Sequence, residues 1–288
     1  MNVLSLFDGM SCGQLALNRA GVKYNNYYAS EIKKTAINLV KIKFPQTEHI
    51  GSVTDVSGKD FPNIDLLIGG SPCQDFSSIK AKGKGLAGDK SILFYEYLRI
   101  LKEVKPKYFL LENVKMKKES KEQLDKYLGV TGIEINSRLV SFQNRPRVYW
   151  TNIPNVIPPK DRDINFQDHK DIAFEICDAY KVKQTPSRVR MWNDGKGKNS
   201  LGSCANATES KKIYCISRKQ DRAPNAGLIT HGDFCRYLTR RELELGQTVP
   251  VGYTDSISYN QAQDLLGDGW TIDVIAHIFK NIPQGVSL

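Results

Sequence analysis

None of the six cysteines (Cys12, Cys73, Cys177, Cys204, Cys215, Cys235) stands in a Cys-x-x-Cys pair. That spacing gives neither a zinc site nor a disulfide framework, and reduced thiols in a reducing compartment fit it best. No metal is expected. No apolar run approaches the ~20 residues that cross a bilayer, so a membrane-spanning helix is excluded. The opening Met1-Asn2-Val3-Leu4-Ser5-Leu6-Phe7 lacks the basic region and small-residue cleavage site of a signal peptide. A cytoplasmic location is the expectation. The first glycine turn lacks the Gly-x-Gly-x-x-Gly fingerprint, which disfavours nicotinamide and flavin cofactors. Acidic residues are in short supply, 31 against 41 Lys and Arg, and the net charge is +10. Such an excess points to a polyanionic partner, most simply nucleic acid. It is concentrated: residues 176–236 hold 12 Lys or Arg against 5 Asp or Glu.

Within the 288 residues, short apolar runs alternate with amphipathic stretches over the first half. Val3 to Phe7, Tyr27 to Ser30, Asp65 to Ile68 and Tyr108 to Leu111 read as strands. Residues 12–20, 32–43 and 91–104 read as helices between them. The alternation predicts an α/β fold with a largely parallel sheet covered on both faces. After residue 154 the periodicity fades through Asn152-Ile153-Pro154 and Pro158-Pro159. Residues 184–232 are rich in Gly, Asn, Ser, Lys and Arg and read as loops and short strands built for contact. Thr239, with Glu242 three residues on, predicts a capped helix to Leu245, and Asp273 to Phe279 predicts a final one.

Gly69-Gly70-Ser71-Pro72-Cys73-Gln74 follows the apolar run Ile64 to Ile68. This places a thiol at the carboxyl end of a buried strand, where open sheets bind ligands. Pro72 stiffens the turn that presents it. Taken alone, Cys73 reads more readily as a buried structural thiol. Phe7-Asp8-Gly9 through Cys12 forms a strand-to-helix turn suited to a nucleotide-like cofactor. Glu31 ends the second strand at the spacing where an acid meets ribose hydroxyls, and Asp55 follows the third apolar segment. Glu112-Asn113-Val114 ends a further strand, and a carboxyl there suits proton donation or hydrogen bonding. Arg145 and Arg147, at i and i+2 of an extended segment, share a face and suit anion or carbonyl recognition.

The ordered set Phe7-x-Gly9, Glu31, Asp55, Pro72-Cys73-Gln74, Glu112-Asn113-Val114 and Gln143-x-Arg145-x-Arg147 resembles the DNA cytosine-C5 methyltransferase family. The resemblance continues through Arg236-x-Leu238-Thr239-x-x-Glu242 and Leu265-Leu266-Gly267-Asp268-Gly269-Trp270. It covers residues 1–154 and 236–282. In wording it is nearest the vertebrate de novo branch, while the absence of an appended reader domain points to a bacterial or phage enzyme.

The resemblance implies a Rossmann-like S-adenosylmethionine-dependent fold with a small inserted target-recognition lobe. The expected division is a catalytic domain over 1–154, the lobe over 155–253, and a segment returning to the catalytic domain over 254–288. It implies methyl transfer to C5 of cytosine in a short duplex DNA target, with Cys73 attacking C6 of a flipped-out base. Glu112, Arg147 and Arg145 would hold the base. S-adenosylmethionine would meet Phe7, Asp8, Gly9, Cys12, Glu31, Ile32, Asp55, Val56, Gly70, Pro72, Leu93, Asp268, Gly269 and Trp270. The bacterial members commonly carry Gly-Asn-Ser where this chain has Gly267-Asp268-Gly269.

Lys80, Lys82 and Lys84 lie in a Gly- and Lys-rich stretch that suits a closing lid, or simply a solvated loop. Arg188, Arg190, Arg218, Arg222 and Arg236 are the expected DNA contacts, with Asn193 and Asn225 as further candidates for base edges. A monomer is expected, and whether a companion restriction enzyme exists stays open. Two alternatives stand beside this reading: the same chemistry on RNA, such as tRNA, and a catalytically silent DNA-binding regulator. The Cys-Phe-Thr signature associated with the tRNA-methylating branch is absent.

Overall fold

A computed structural model describes residues 1–71, 92–186, 206–218, 220 and 227–283. The chain divides into two compact units. The first comprises Met1–Ile135, Pro146–Pro158 and Ile275–Leu288, and the second comprises Asn136–Arg145 and Pro159–Val274. The boundaries therefore differ from those at 154 and 254 expected from the sequence.

The first unit is built on strands β1 (Asn2–Leu6), β2 (Asn26–Ser30), β3 (Glu48–Gly51), β4 (Leu66–Gly70), β5 (Tyr108–Val114), β6 (Ile133–Asn136) and β7 (Pro146–Thr151). Their spatial order is β3-β2-β1-β4-β5-β7-β6. The pairs β1–β2, β1–β4, β2–β3 and β4–β5 are parallel, while β5–β7 is antiparallel. Helices α1 (Cys12–Ala20), α2 (Lys34–Lys43), α3 (Ile92–Val104) and α4 (Lys118–Leu128) fall between the strands.

Near-continuous apolar strands are what a sheet covered on both faces requires. Leu4, Leu6, Leu67 and Leu111 are buried with Phe94, Tyr97 and Trp150 in one core. The strand order turns back on itself between β1 and β4, and a crevice opens at the carboxyl ends of strands at such a point. The expected strands and helices are present with ends shifted by up to three residues, the largest shift being the run of β5 on from Leu111 to Val114. Strands β3 and β6 and helix α4 lie outside the sequence expectation; in the two strands exposed positions break the apolar pattern.

In the second unit, β8 (Ile229–His231) and β9 (Phe234–Arg236) form an antiparallel pair. Val182, Leu228 and Cys235 make a small core beside it. Helix Arg240–Gly246 starts at Thr239 in the expected capping box. Glu242 N–H donates to Thr239 Oγ1 at 3.1 Å, and Thr239 N–H donates to a Glu242 carboxylate oxygen at 2.7 Å. Helix Tyr259–Asp268 begins with a second capping box, on Ser258 and Gln261.

Among the described residues no helix is long and apolar enough to cross a membrane. Nor does any group of three or more His, Cys, Asp or Glu there suit a metal ion.

Candidate active site

At the carboxyl end of β1 the chain turns into α1 through Phe7, Gly9 and Ser11, with φ of 58°, 58° and 60°. Left-handed backbone at two non-glycine positions costs energy and persists only where the surroundings enforce it. Here the enforcing groups are visible. Asp8 N–H donates to Ser30 O at 3.0 Å. Gly9 N–H donates to Glu31 Oε2 at 2.8 Å, and Ile32 and Lys33 N–H both donate to Glu31 Oε1 at 2.8 Å. A carboxylate offers about four lone-pair positions, so three backbone donors orient Glu31 and leave room for a hydroxyl. This fits a ribose at the end of β2. Ile32 beside it is 74% exposed, an apolar surface at the same strand end.

Asp8 itself corrects the sequence expectation of a cofactor contact. Its side chain turns inward, and Tyr27 Oη donates to Asp8 Oδ1 at 2.7 Å. Burial pushes the Asp8 carboxyl up to about 6, against hydrogen bonds from Ser5, Tyr27 and Ser11 that lower it. Burial and the Asp8 charge push the Tyr27 hydroxyl well above its ordinary range. Cys12 is likewise buried, as the first residue of α1, so any cofactor contact there falls to its backbone.

Asp55 is exposed and Val56 buried on the loop after β3. A residue without a motif holds this loop. Arg99, on α3, donates to Val53 O at 3.2 Å and Val56 O at 2.9 Å. Glu96 and Glu103 flank its guanidinium. Glu103 Oε2 also accepts from Gly58 N–H at 2.7 Å, the bond that does most to hold its carboxyl below the ordinary range. Sequence reasoning missed Arg99 because an Arg with Glu at i−3 and i+4 reads as a solvated helix face. Leu93, near the start of α3, packs against the core as a partly buried side chain.

The end of β5 carries the strongest chemical signal. Gly70 pairs with Glu112 in the parallel register, so the chain that runs on to Pro72 and Cys73 leaves β4 beside Glu112. Pro72 and Cys73 themselves lie outside the described residues. Across the antiparallel pair, Val114 faces Arg147 and Glu112 faces Tyr149. Glu112 and Arg147 are therefore diagonal neighbours on one face. Arg147 Nε lies 2.9 Å from Glu112 Oε1, and the two side chains are 13% and 12% exposed. Asn113 Nδ2 donates to Ser71 Oγ at 3.2 Å, tying the two strand ends together. A desolvated carboxylate fixed by a guanidinium offers an acceptor and a cationic donor side by side, which suits a planar ring bearing both N–H and carbonyl groups.

Arg145 and Arg147 do not act as a pair. Strand β7 begins only at Pro146, so the alternation that would place them on one face does not reach Arg145. Arg145 belongs to the second unit and is 3% exposed. It donates to Ile216 O at 2.7 Å, Gly269 O at 2.8 Å, Gly267 O at 3.1 Å and Cys215 Sγ at 3.1 Å. Both terminal nitrogens of this guanidinium are thus engaged within the second unit.

Arg236 is a second correction. It is fully buried, paired to both carboxylate oxygens of Glu242 at 2.7 and 2.8 Å, and bonded to Tyr237 O and Asp171 O. It scaffolds the second unit and does not contact DNA. Arg218 is half exposed, 3.6 Å from Asp268 and 3.7 Å from Asp264, which offsets the acid that departs from the bacterial pattern. Gly269 and Trp270 follow the helix Tyr259–Asp268, both partly buried. Lys80, Lys82, Lys84, Arg188, Arg190, Asn193, Arg222 and Asn225 lie outside the described residues.

Residues 1–155 match the C-5 cytosine-specific DNA methylase family. The type II methyltransferase M1.ScrFI of Lactococcus lactis subsp. cremoris is 36% identical over 97% of this chain and 77% of its own length. The orphan methyltransferase M.Rho11sI of Bacillus phage rho11s is 40% identical over 40% of this chain, which spans only 23% of the phage enzyme. The crystal structure of S. pombe Dnmt2 methyltransferase superposes with a TM-score of 0.74 over 97% of both chains, at 20% identity. At that identity the likeness is one of fold, and it is the Rossmann-like methyltransferase fold with an inserted lobe. The matched segment contains the Glu31, Glu112 and Arg147 strand ends, and with the likeness to the Lactococcus protein over 97% of this chain it shows that this chain belongs to the C-5 cytosine-specific DNA methylase family.

Proposed function

We propose that the chain transfers a methyl group from S-adenosylmethionine to C5 of cytosine in a short double-stranded DNA target. The observation that carries this reading is the Glu112–Arg147 pair, fixed at 2.9 Å on the strand end beside which β4 runs on toward Cys73. C5 of cytosine is a weak nucleophile. Addition of the Cys73 thiolate to C6 turns the ring into an enamine, which is a strong one. Glu112 accepts from the exocyclic amine and meets N3, while Arg147 donates to the ring carbonyl where charge develops. Once the enamine carbon C5 has formed its bond to the methyl group, loss of the C5 proton to solvent water with departure of the Cys73 thiolate restores the aromatic ring.

S-adenosylmethionine, when bound, supplies an electrophilic methyl group. The residues that would hold it are Phe7, Gly9, Glu31, Ile32, Asp55, Val56, Gly70, Pro72 and Leu93, together with Asp268, Gly269 and Trp270. The three left-handed residues of the β1–α1 turn and the backbone-oriented Glu31 support that assignment. A target carbon inside a duplex requires the base to be flipped out. Lys80, Lys82 and Lys84, and Arg188, Arg190 and Arg222 of the basic region, are the proposed DNA contacts.

The test is transfer of labelled methyl to mixed-sequence duplex DNA and to a matching RNA, with Cys73→Ala alongside. Label in DNA cytosine that vanishes in the variant is the expected result. Label in RNA alone moves the target to RNA. No label despite intact cofactor and DNA binding leaves a silent binding protein.

A further inference from the structure

We propose that Arg145 is a positioning residue for the cofactor, acting through the segment Leu266 to Thr271. The proposal rests on the reading above that Gly269 and Trp270 meet S-adenosylmethionine. The last carbonyls of a helix have no partner inside it and favour a cation. Helix Tyr259–Asp268 ends at Gly269, whose φ of −72° and ψ of 172° carry the chain off in an extended course. The Arg145 guanidinium spans this exit, donating to Gly267 O and Gly269 O on either side of Asp268.

Its other terminal nitrogen donates to Ile216 O. One buried cation thus fastens the helix exit to the 215–216 main chain. From the far side, Gln247 Nε2 donates to Leu266 O at 2.5 Å and Gly269 O at 3.3 Å. Gln247 Oε1 in turn accepts from Gln143 Nε2 and Thr271 Oγ1, both at 2.8 Å. Packing leaves no slack: a Cβ on Gly267 would sit 2.5 Å from Arg218 N and Ser217 C. Four bonds occupy the terminal nitrogens of Arg145, so its effect on methyl transfer passes through the cofactor's segment.

The experiment measures S-adenosylmethionine affinity by calorimetry without DNA, and KM and kcat with DNA. It is run for the wild type, Arg145→Lys and Thr271→Val, with melting curves to verify folding. Losing the forked donor set of Arg145 raises the Kd and the KM for S-adenosylmethionine about tenfold. At saturating cofactor kcat stays within about twofold, since an interaction lost from binding alone is recovered by saturation. Thr271→Val moves Kd in the same direction by less. An unchanged Kd with a fallen kcat overturns the proposal and returns Arg145 to the base. Should Arg145→Lys fail to fold, an unchanged Kd in folded Thr271→Val overturns it equally. A wild type that binds no S-adenosylmethionine sinks the proposed function instead, a result no Arg145 variant mimics.

Discussion

Glu112 sits where the removal of one charge separates chemistry from binding. Glu112→Gln keeps the shape and one hydrogen-bond acceptor but loses the carboxylate that Arg147 holds. The expected outcome is a fall in kcat of about 10²-fold or more, with S-adenosylmethionine affinity unchanged, read in single-turnover methylation. Asp8 gives a pH signature. The unfolded chain ionises near 3.8, whereas the folded Asp8 keeps its proton to about 6. The native state therefore binds more protons in that window, and stability falls through this group as pH rises from 3.8 to about 6, by about 3 kcal/mol. Asp8→Asn removes that fall, so the variant's Tm gains on the wild type between about pH 4 and pH 7; parallel melting curves across that range refute this account. Arg236→Met leaves the buried Glu242 carboxylate without its cation, with the Thr239 and Asp171 N–H groups still donating to it, and is expected to cost about 3–5 kcal/mol in urea unfolding.

At the scale of elements, helix α3 is more than cover for the sheet. Through Arg99 it fastens the loop that carries Asp55 and Val56. Arg99→Ala frees the Val53 and Val56 carbonyls and is expected to raise the KM for S-adenosylmethionine by about three- to tenfold while kcat at saturation holds. Steady-state kinetics with varied cofactor decide it. Elements were legible in the sequence where apolar period and caps agreed, as in β1, α1, β4, and the Thr239–Glu242 capping box. The strand-end acids Glu31 and Glu112 were legible for the same reason, since each directly follows or ends a buried strand. What the sequence hid was direction. Arg145 precedes its strand by one residue and turns to other partners. Arg236 looked like one more basic residue in a basic region, yet Glu242, six positions on, claims both of its terminal nitrogens. Pairings of this kind depend on folded distance, which no local pattern encodes.

For the molecule as a whole, the net charge of +10 is carried unevenly, with much of the excess between residues 176 and 236. If this region grips phosphates, each neutralised phosphate contributes about −0.9 to the slope of log K against log salt. Binding to duplex DNA is expected to weaken by about 10³-fold or more between about 50 and 200 mM salt for six or more such contacts. A slope near zero in a filter-binding or anisotropy titration removes the region from the DNA interface. Arg236 is excluded from that count by its burial.

Several polar braces of the second unit grasp main chain. Arg145 holds Ile216 O, Gly267 O and Gly269 O, Gln143 holds Gly246 O, and Gln247 holds Leu266 O. Carbonyl oxygens are the same whatever side chain rides above them. Mutational drift in the side chains of Ile216 and Ser217 therefore leaves these anchor points intact, whereas a change at Cys215 or Arg218 loses the contact to Arg145 or to Asp268. A descendant of this chain is free to change such side chains while inheriting its scaffold unaltered.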